Sequence, residues 1–194
     1  MTRHLDLGCG ATPRNPYGSD ELHGVDIAAS VDPAKRITIR AANLSLEPIP
    51  YPDGHFDSVS AYDFFEHVPR VLPTADGQGT RFPFIELMNE VWRVLRPGGL
   101  LYAQTPAFPH PAAFQDPTHV NILTDDSHRY FVSERPIARM YGFRGQFALR
   151  RSVRRSPRHA YEPVDPGLMG RLQNWSRARR GADSHLIWEF EAIK

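Results

Sequence analysis

A short apolar run that ends in two glycines opens this chain: His4-Leu5-Asp6-Leu7 leads straight into Gly8-Cys9-Gly10. So short a run reads as a buried strand, and the glycines permit a tight turn whose backbone a ligand can approach closely. A second apolar run, Leu22-His23-Gly24-Val25-Asp26-Ile27, carries an acid at its end, with Asp26 eighteen residues after Gly8. A strand, a Gly-x-Gly turn and a carboxylate at the end of the next strand make a nucleoside site, because the carboxylate accepts from both ribose hydroxyls. A tight turn with no ligand satisfies the glycines equally well, so the rest of the chain has to decide.

Further along, Arg36 to Arg40 alternates as a third strand, and Pro52-Asp53-Gly54 turns the chain into a fourth, Phe56 to Tyr62, ending at Asp63. Ile85, Met88, Trp92 and Leu95 recur at helical spacing over 82–95, and Pro97-Gly98-Gly99 stops that helix before a fifth strand, Leu100 to Thr105. Ser133 and Gly142 bracket a helix over 134–141, and 147–153 and 186–193 read as the last strands. Pro13, Pro16 and Gly18 break helical periodicity over 11–21, so the helix usual after a nucleotide-binding first strand is very short or missing. Alternating strands and helices predict an α/β sandwich. Residues 1–194 read as one domain: a cofactor-binding core over 1–105, a substrate loop over 106–131 and an insertion over 154–184.

A chain of 194 residues with 41% hydrophobic and 23% charged residues is composed like an ordinary globular protein, which excludes disorder, collagen and coiled coil. No apolar run approaches the roughly 20 residues needed to cross a bilayer and no leader opens the chain, so a cytoplasmic protein is expected. Cys9, the single cysteine, excludes an internal disulfide and a cysteine-based zinc framework. The net charge of +1 hides an asymmetry: residues 1–128 hold 9 basic and 16 acidic residues, whereas 129–194 hold 14 and 6. A basic partner surface therefore belongs to the C-terminal third.

Leu5-Asp6-Leu7-Gly8-Cys9-Gly10, Gly24-Val25-Asp26, Phe56-Asp57-Ser58-Val59, Glu66-His67-Val68 and Arg93-Val94-Leu95-Arg96-Pro97-Gly98-Gly99 stand in one order along the chain. In this the sequence resembles the class I S-adenosylmethionine-dependent methyltransferases over residues 5 to about 105. A dinucleotide site fits less well, since Pro13 stands where its fingerprint wants a third glycine opening a long helix. The resemblance implies a doubly wound sheet of order 3-2-1-4-5-7-6 with an antiparallel last strand, S-adenosyl-L-methionine as cofactor and methylation as the activity. It also implies the Gly8-Cys9-Gly10 backbone along the methionine part, Asp6 near its amino group, Asp26 on the ribose and Ile27 against the adenine. Asn43-Leu44 matches an Asp-Leu pair that meets the adenine amino group, and Asp63 and Phe64 match the wall of the sulfonium pocket. For Asp63 a plain helix cap is the alternative. No residues precede the first strand as the usual cover, which points to an open cofactor site or one completed by a second copy or another partner.

Methyl transfer needs an acceptor in line with the sulfonium, and only a poorly ionised acceptor such as an alcohol also needs a positioned base. The loop after strand five holds His110, Asp116, His119 and His128, and Asp116-Pro117-Thr118-His119 is compact enough to act together. His119 is the expected base, oriented by Asp116, with His67 a second catalytic candidate. The alternative is an Asx-type turn at Asp116, with His119 bonded to a backbone carbonyl. No metal is expected, the set His110, Asp116 and His119 having no firm metal motif.

In the insertion, Arg154, Arg155 and Arg158 precede a helix starting at Asp165-Pro166, with Leu168, Leu172 and Trp175 on one face and Arg177, Arg179 and Arg180 at its end. The apolar face docks on the domain, the arginines bind an anionic substrate or partner, or the helix rests on a membrane; all three stay open. For the acceptor, a small molecule, a glycan or a lipid-linked sugar is favoured and RNA is permitted. The competing functions are a cofactor-binding subunit that is idle without a partner and a nucleotide-dependent oxidoreductase or epimerase.

Overall fold

Alternation along the first strand sends its side chains into two unlike environments: Leu5 and Leu7 enter an apolar core, while His4 and Asp6, also buried, enter a polar network on the opposite face. The computed structural model describes residues 1–28, 30–32, 37–162, 167, 170, 172, 176 and 181–194. Its strands are β1 (Arg3–Leu7), β2 (Glu21–Asp26), β3 (Ser30–Asp32), β4 (Ile37–Ala41), β5 (Phe56–Tyr62), β6 (Leu72–Pro73), β7 (Thr80–Arg81), β8 (Leu95–Pro106), β9 (Phe147–Arg155) and β10 (His185–Ala192). The α-helices that can be traced among the described residues are α1 (Pro83–Val94) and the single turn α2 (Ala112–Gln115).

Among the described residues one sheet runs β3-β4-β2-β1-β5-β8-β10-β9, with β6 and β7 forming a separate hairpin. The strands β4, β2, β1, β5 and β8 are mutually parallel, and β10 enters antiparallel between β8 and β9. This is the doubly wound order 3-2-1-4-5-7-6 that the resemblance implies, with β3 added antiparallel on the outer edge of β4. Sequence reading missed β3 because three residues with a single apolar side chain carry no usable period.

The core lies on the side of the sheet that carries α1. Leu5, Leu7, Val59, Leu101, Trp188 and Phe190 project from the strands onto Leu87, Met88, Val91 and Val94. Burial of an aliphatic or aromatic side chain at this interface contributes roughly 1.5–3 kcal/mol. The stripe expected through Ile85, Met88, Trp92 and Leu95 is corrected: the buried face also takes in Phe84, Leu87, Val91 and Val94, with Ile85 and Trp92 at its margins. A face wide enough for a sheet spans more than one ridge of the helix.

Strand five begins earlier than expected, because Leu95 already pairs with Phe56 and the extra residues Pro97-Gly98-Gly99 form an irregularity before Leu100 pairs with Ser58. The helix expected over 134–141 is a 3-10 helix confined to Ile137–Tyr141: Pro136 disfavours helical backbone at the residue before it, and Gly142 ends it at φ 91°. Residues 8–20 hold no helix, as the prolines require. The loop 106–131 is less irregular than expected, since it contains α2 and a 3-10 turn over Ser127–Tyr130. The helix expected from Asp165 to Arg180, with Leu168, Trp175, Arg177 and Arg179, lies outside the described residues except for scattered positions such as the exposed Leu172. Among the described residues no helix is long and apolar enough to cross a membrane.

Candidate active site at the carboxyl edge of the sheet

The parallel strands β1, β2, β5 and β8 all end on one edge, and the candidate residues collect there. At the end of β1, Gly8 has φ 63°, and a Cβ on it would stand 2.4 Å from the Phe64 ring. Only glycine meets both conditions. The Gly10 and Ile27 backbone N–H groups donate to the two oxygens of Asp26, at 2.8 and 2.7 Å, so the carboxylate ending β2 also fixes the glycine turn. Gly24 serves that turn from below: a Cβ there would stand 2.4 Å from Cys9 Sγ and 3.0 Å from Pro13. Burial, with Asp6 and Asp26 nearby, pushes the Cys9 thiol up to about 12, which leaves it an unreactive packing group.

Asp6 is buried beneath the turn, where it accepts from Ser60 Oγ at 2.6 Å and from the Arg14 N–H at 2.8 Å. Burial outweighs these bonds and pushes its carboxyl up to about 6. Above the turn the surface is open. Nothing lies within 4 Å of where a Gly10 Cβ would be, and Ile27 is 81% exposed beside Asp26. Such a surface, with an uncovered aliphatic side chain next to a carboxylate and open space over Gly10, fits a nucleoside with an amino-acid tail. Asn43 is exposed, with Oδ1 accepting from the Ser45 N–H at 3.1 Å, whereas the Leu44 side chain is 6% exposed and packs into the core instead of lining that surface.

Farther along the same edge, Asp63 follows β5 at φ 50°, its Oδ1 3.1 Å from His185 Nε2. Phe64 is half-buried on Gly8, and the chain then makes a 3-10 turn, Phe65–His67. The loop after β8 is laced to that turn by its backbone: Val120 and Asn121 N–H both donate to Glu66 O at 2.9 Å, and Asn121 Nδ2 donates to Phe65 O. Glu66, His67 and His119 are thereby brought together. Glu66 is 1% exposed; its Oε2 accepts from Thr105 Oγ1 at 2.7 Å, while its Oε1 has no hydrogen-bond partner and lies 4.0 Å from His119 Nε2. Burial pushes this carboxyl up to about 7. The rings of His67 and His119 meet edge to face with centroids 4.9 Å apart.

The expected orientation of His119 by Asp116 is corrected. The Asp116 carboxylate accepts from the N–H and hydroxyl of Thr118, an Asx-type turn, and His119 Nδ1 is held 3.2 Å from Ala113 O. Thr118 Oγ1 in turn lies 2.9 Å from His67 Nδ1, so Asp116 reaches His67 through Thr118. His110 accepts the Ala112 N–H that starts α2 and stands outside this group. A cavity of about 480 Å³ opens over the group, lined among others by Asp63, Glu66, His67, Asp116, His119 and His185. A larger groove of about 760 Å³ lies between α1 and the Ile137–Tyr141 turn and takes in Leu44 but none of Asp6, Asp26, Asp63, Glu66, His67 or His119. Sequence reading left Glu66, Thr105, Thr118 and His185 without a role. Glu66 stood beside His67 in a quoted motif, but a strand-opening histidine such as His185 carries no sequence signal.

The expected basic surface is partly spent within the chain: Arg150 pairs with Glu191, Arg151 with Glu189 at 3.1 Å, and Arg154 with Asp125 at 2.6 Å.

The fold is shared with solved structures at low identity. A Haloferax volcanii complex of the Trm112 methyltransferase activator with a methyltransferase is similar at TM-score 0.59 and 13% identity, over 100% of this chain and 83% of that one. The YcgJ protein of Bacillus subtilis is similar at TM-score 0.56 and 14% identity, over 100% and 92%. An S-adenosylmethionine-dependent methyltransferase of Mesorhizobium loti is similar at TM-score 0.53 and 14% identity, over 97% and 90%. None of the curated proteins matches the chain. The methyltransferase domain family matches residues 5–103, the stretch that carries β1, the Asp26 carboxylate, β5, α1 and most of β8. By that match the chain belongs to the methyltransferase domain family and is a class I S-adenosylmethionine-dependent methyltransferase.

Proposed function

We propose that the protein methylates a hydroxyl of a small polar acceptor, a metabolite, glycan or lipid-linked sugar, seated in the cavity over Glu66, His67 and His119. The observation that carries this reading is the cavity itself. Its volume of about 480 Å³ is that of a small-molecule site, and its rim of carboxylates and imidazoles suits an acceptor rich in hydroxyls. Three arginines of β9, Arg150, Arg151 and Arg154, are already paired within the chain, which favours such an acceptor over RNA.

In this reading Asp26 holds the ribose, Ile27 and Asn43 flank the adenine, and the Gly8-Cys9-Gly10 backbone with Asp6 receives the methionine part. Asp63 and Phe64 line the sulfonium between that site and the cavity. The acceptor oxygen attacks the methyl carbon, the S–CH3 bond breaks, S-adenosylhomocysteine leaves and the hydroxyl proton departs. Glu66, His67 and His119 activate the oxygen, His119 through the Nε2 lone pair, and Asp116 positions His67 through Thr118. The similarity to a methyltransferase solved with its activator extends the reading to a partner or second copy beside β1 and β2, whose connection over 8–20 holds no helix.

Calorimetry with S-adenosylmethionine and a screen of hydroxylated acceptors, read by released S-adenosylhomocysteine, test the proposal. Asp26→Ala is expected to weaken cofactor binding by about 1.5–3 kcal/mol, while His119→Ala lowers turnover with cofactor affinity unchanged. Normal turnover by His119→Ala ends its catalytic role, and methylation of RNA alone overturns the acceptor class.

A further inference from the structure

We propose that Glu66, His67 and His119 form a divalent metal site of the two-histidine, one-carboxylate kind, open toward the cavity. Their ligand atoms all lie within 4.8 Å of one another. Glu66 Oε1 and His119 Nε2 face each other at 4.0 Å, too far for a hydrogen bond and close enough for both to reach one ion. The second observation is the unpaired Glu66 Oε1. The side chain is 1% exposed, Thr105 holds its other oxygen, and the bare one is aimed at His119. A buried acceptor left without a donor is costly, and a cation supplies its missing partner.

The surroundings prepare both imidazoles as ligands. Ala113 O only accepts, so His119 carries its proton on Nδ1. Thr118 Oγ1 donates to Asp116 Oδ1 at 2.7 Å and therefore accepts from His67 Nδ1–H. Each ring is thus left with its Nε2 lone pair free. A carbonyl, or a hydroxyl backed by a carboxylate, that accepts the N–H of the far nitrogen is the usual support of a metal-bound histidine. Two imidazoles and one carboxylate suit zinc, manganese, iron(II) or cobalt(II) better than magnesium or calcium, which prefer oxygen ligands.

The inference rests on the proposed acceptor cavity for its role. A cation there takes the acceptor hydroxyl as a further ligand and acidifies it, and the proton leaves to solvent as the oxygen takes the methyl group. His119 then acts as a ligand, and no base is required of it.

The test is a titration of the chelator-treated protein with Co²⁺, followed by its visible d–d absorption, with Zn²⁺ in competition. One equivalent per chain is expected, weakened at least about tenfold in His67→Ala, His119→Ala and Glu66→Gln, and roughly tenfold in Thr118→Val. Unchanged binding of S-adenosylhomocysteine shows that each variant is folded; the half-exposed His67 carries the test if the buried Glu66 variant is not. Absence of saturable Co²⁺ absorption in the wild type, or wild-type affinity in both histidine variants, overturns the site. A protein that binds the ion through these residues but methylates no hydroxyl overturns the acceptor class and leaves the metal site standing.

Discussion

His4 shows how a single buried polar side chain writes a pH dependence into the fold. Both ring nitrogens are matched to hydroxyls, Nδ1 to Ser58 at 2.7 Å and Nε2 to Ser60 at 2.8 Å, on the face opposite the apolar core. Burial holds its pKa down at about 4, against an ordinary 6.5. Below 6.5 the unfolded chain binds the proton more readily than the folded one, so the stability that His4 contributes is complete above 6.5 and is lost as pH falls toward 4. Asp6 on the same network works in the opposite sense, since its raised carboxyl loses stability as pH rises from 3.8 toward 6. Urea unfolding at a series of pH values separates the two: relative to wild type, His4→Gln is expected to gain roughly 3 kcal/mol between pH 7 and pH 4. A difference independent of pH would show that His4 is not buried neutral.

At the scale of elements, the loop leading into β5 is stapled to the end of α1 by Arg93. Its guanidinium donates to Ile49 O at 2.9 Å and Tyr51 O at 2.8 Å while pairing with Glu90 and Asp53 at 2.7 Å. The Arg93 carbonyl accepts from Gly54 N–H, closing the same corner. Arg93→Ala strands the Tyr51 carbonyl, leaves the Ile49 carbonyl with only the Tyr51 N–H and breaks the pairs to Glu90 and Asp53, and is expected to cost about 2 kcal/mol in urea unfolding, with Arg93→Lys recovering less than half, since an ammonium lacks the planar fork. A loss below about 0.5 kcal/mol would mark the corner as held by its apolar contacts alone. Arg93 belongs to a stretch quoted for its family resemblance, yet nothing in the sequence tells that its side chain is a brace. The elements β1, β2, β5 and α1 were legible because each repeats a period, whereas β3 and the 3-10 turn over Ile137–Tyr141 are too short or too interrupted by proline to do so.

For the molecule as a whole, the central strands and the edge loops differ in how they are held. β1 is paired on both sides and backed by the main core, while the segment 107–130 is attached by scattered backbone bonds to the turn at Glu66 and, at Ala107, to Ser184 O. Hydrogen exchange is expected to find β1, β5 and β8 the slowest to exchange and residues 110–119 among the fastest, with slowing there when cofactor and acceptor bind together. Protection of 110–119 equal to that of β1 in the free protein would contradict a loop that closes over its acceptor.

The cofactor half was readable from sequence because it depends on local geometry: a positive φ at Gly8, a close approach at Gly24 and a carboxylate one strand away from the glycine turn are each encoded by one residue at one place. The acceptor half was readable only in its residue types. His67 and His119 stand 52 positions apart, and their meeting with Glu66 depends on two backbone bonds from the 120–121 segment to Glu66 O, which no spacing rule expresses. By itself the sequence determined the main strands, the glycine turn and the acid that ends the next strand, since strand period and turn chemistry act over a few residues, while the sheet order, the cofactor and the family came with the resemblance that those motifs carry. Only the tertiary structure decided that Asp116 serves Thr118 instead of His119, that Leu44 belongs to the core, and that a Glu66 oxygen without a hydrogen-bond partner lies beside His67 and His119, the last two because they depend on contacts between segments far apart in the chain.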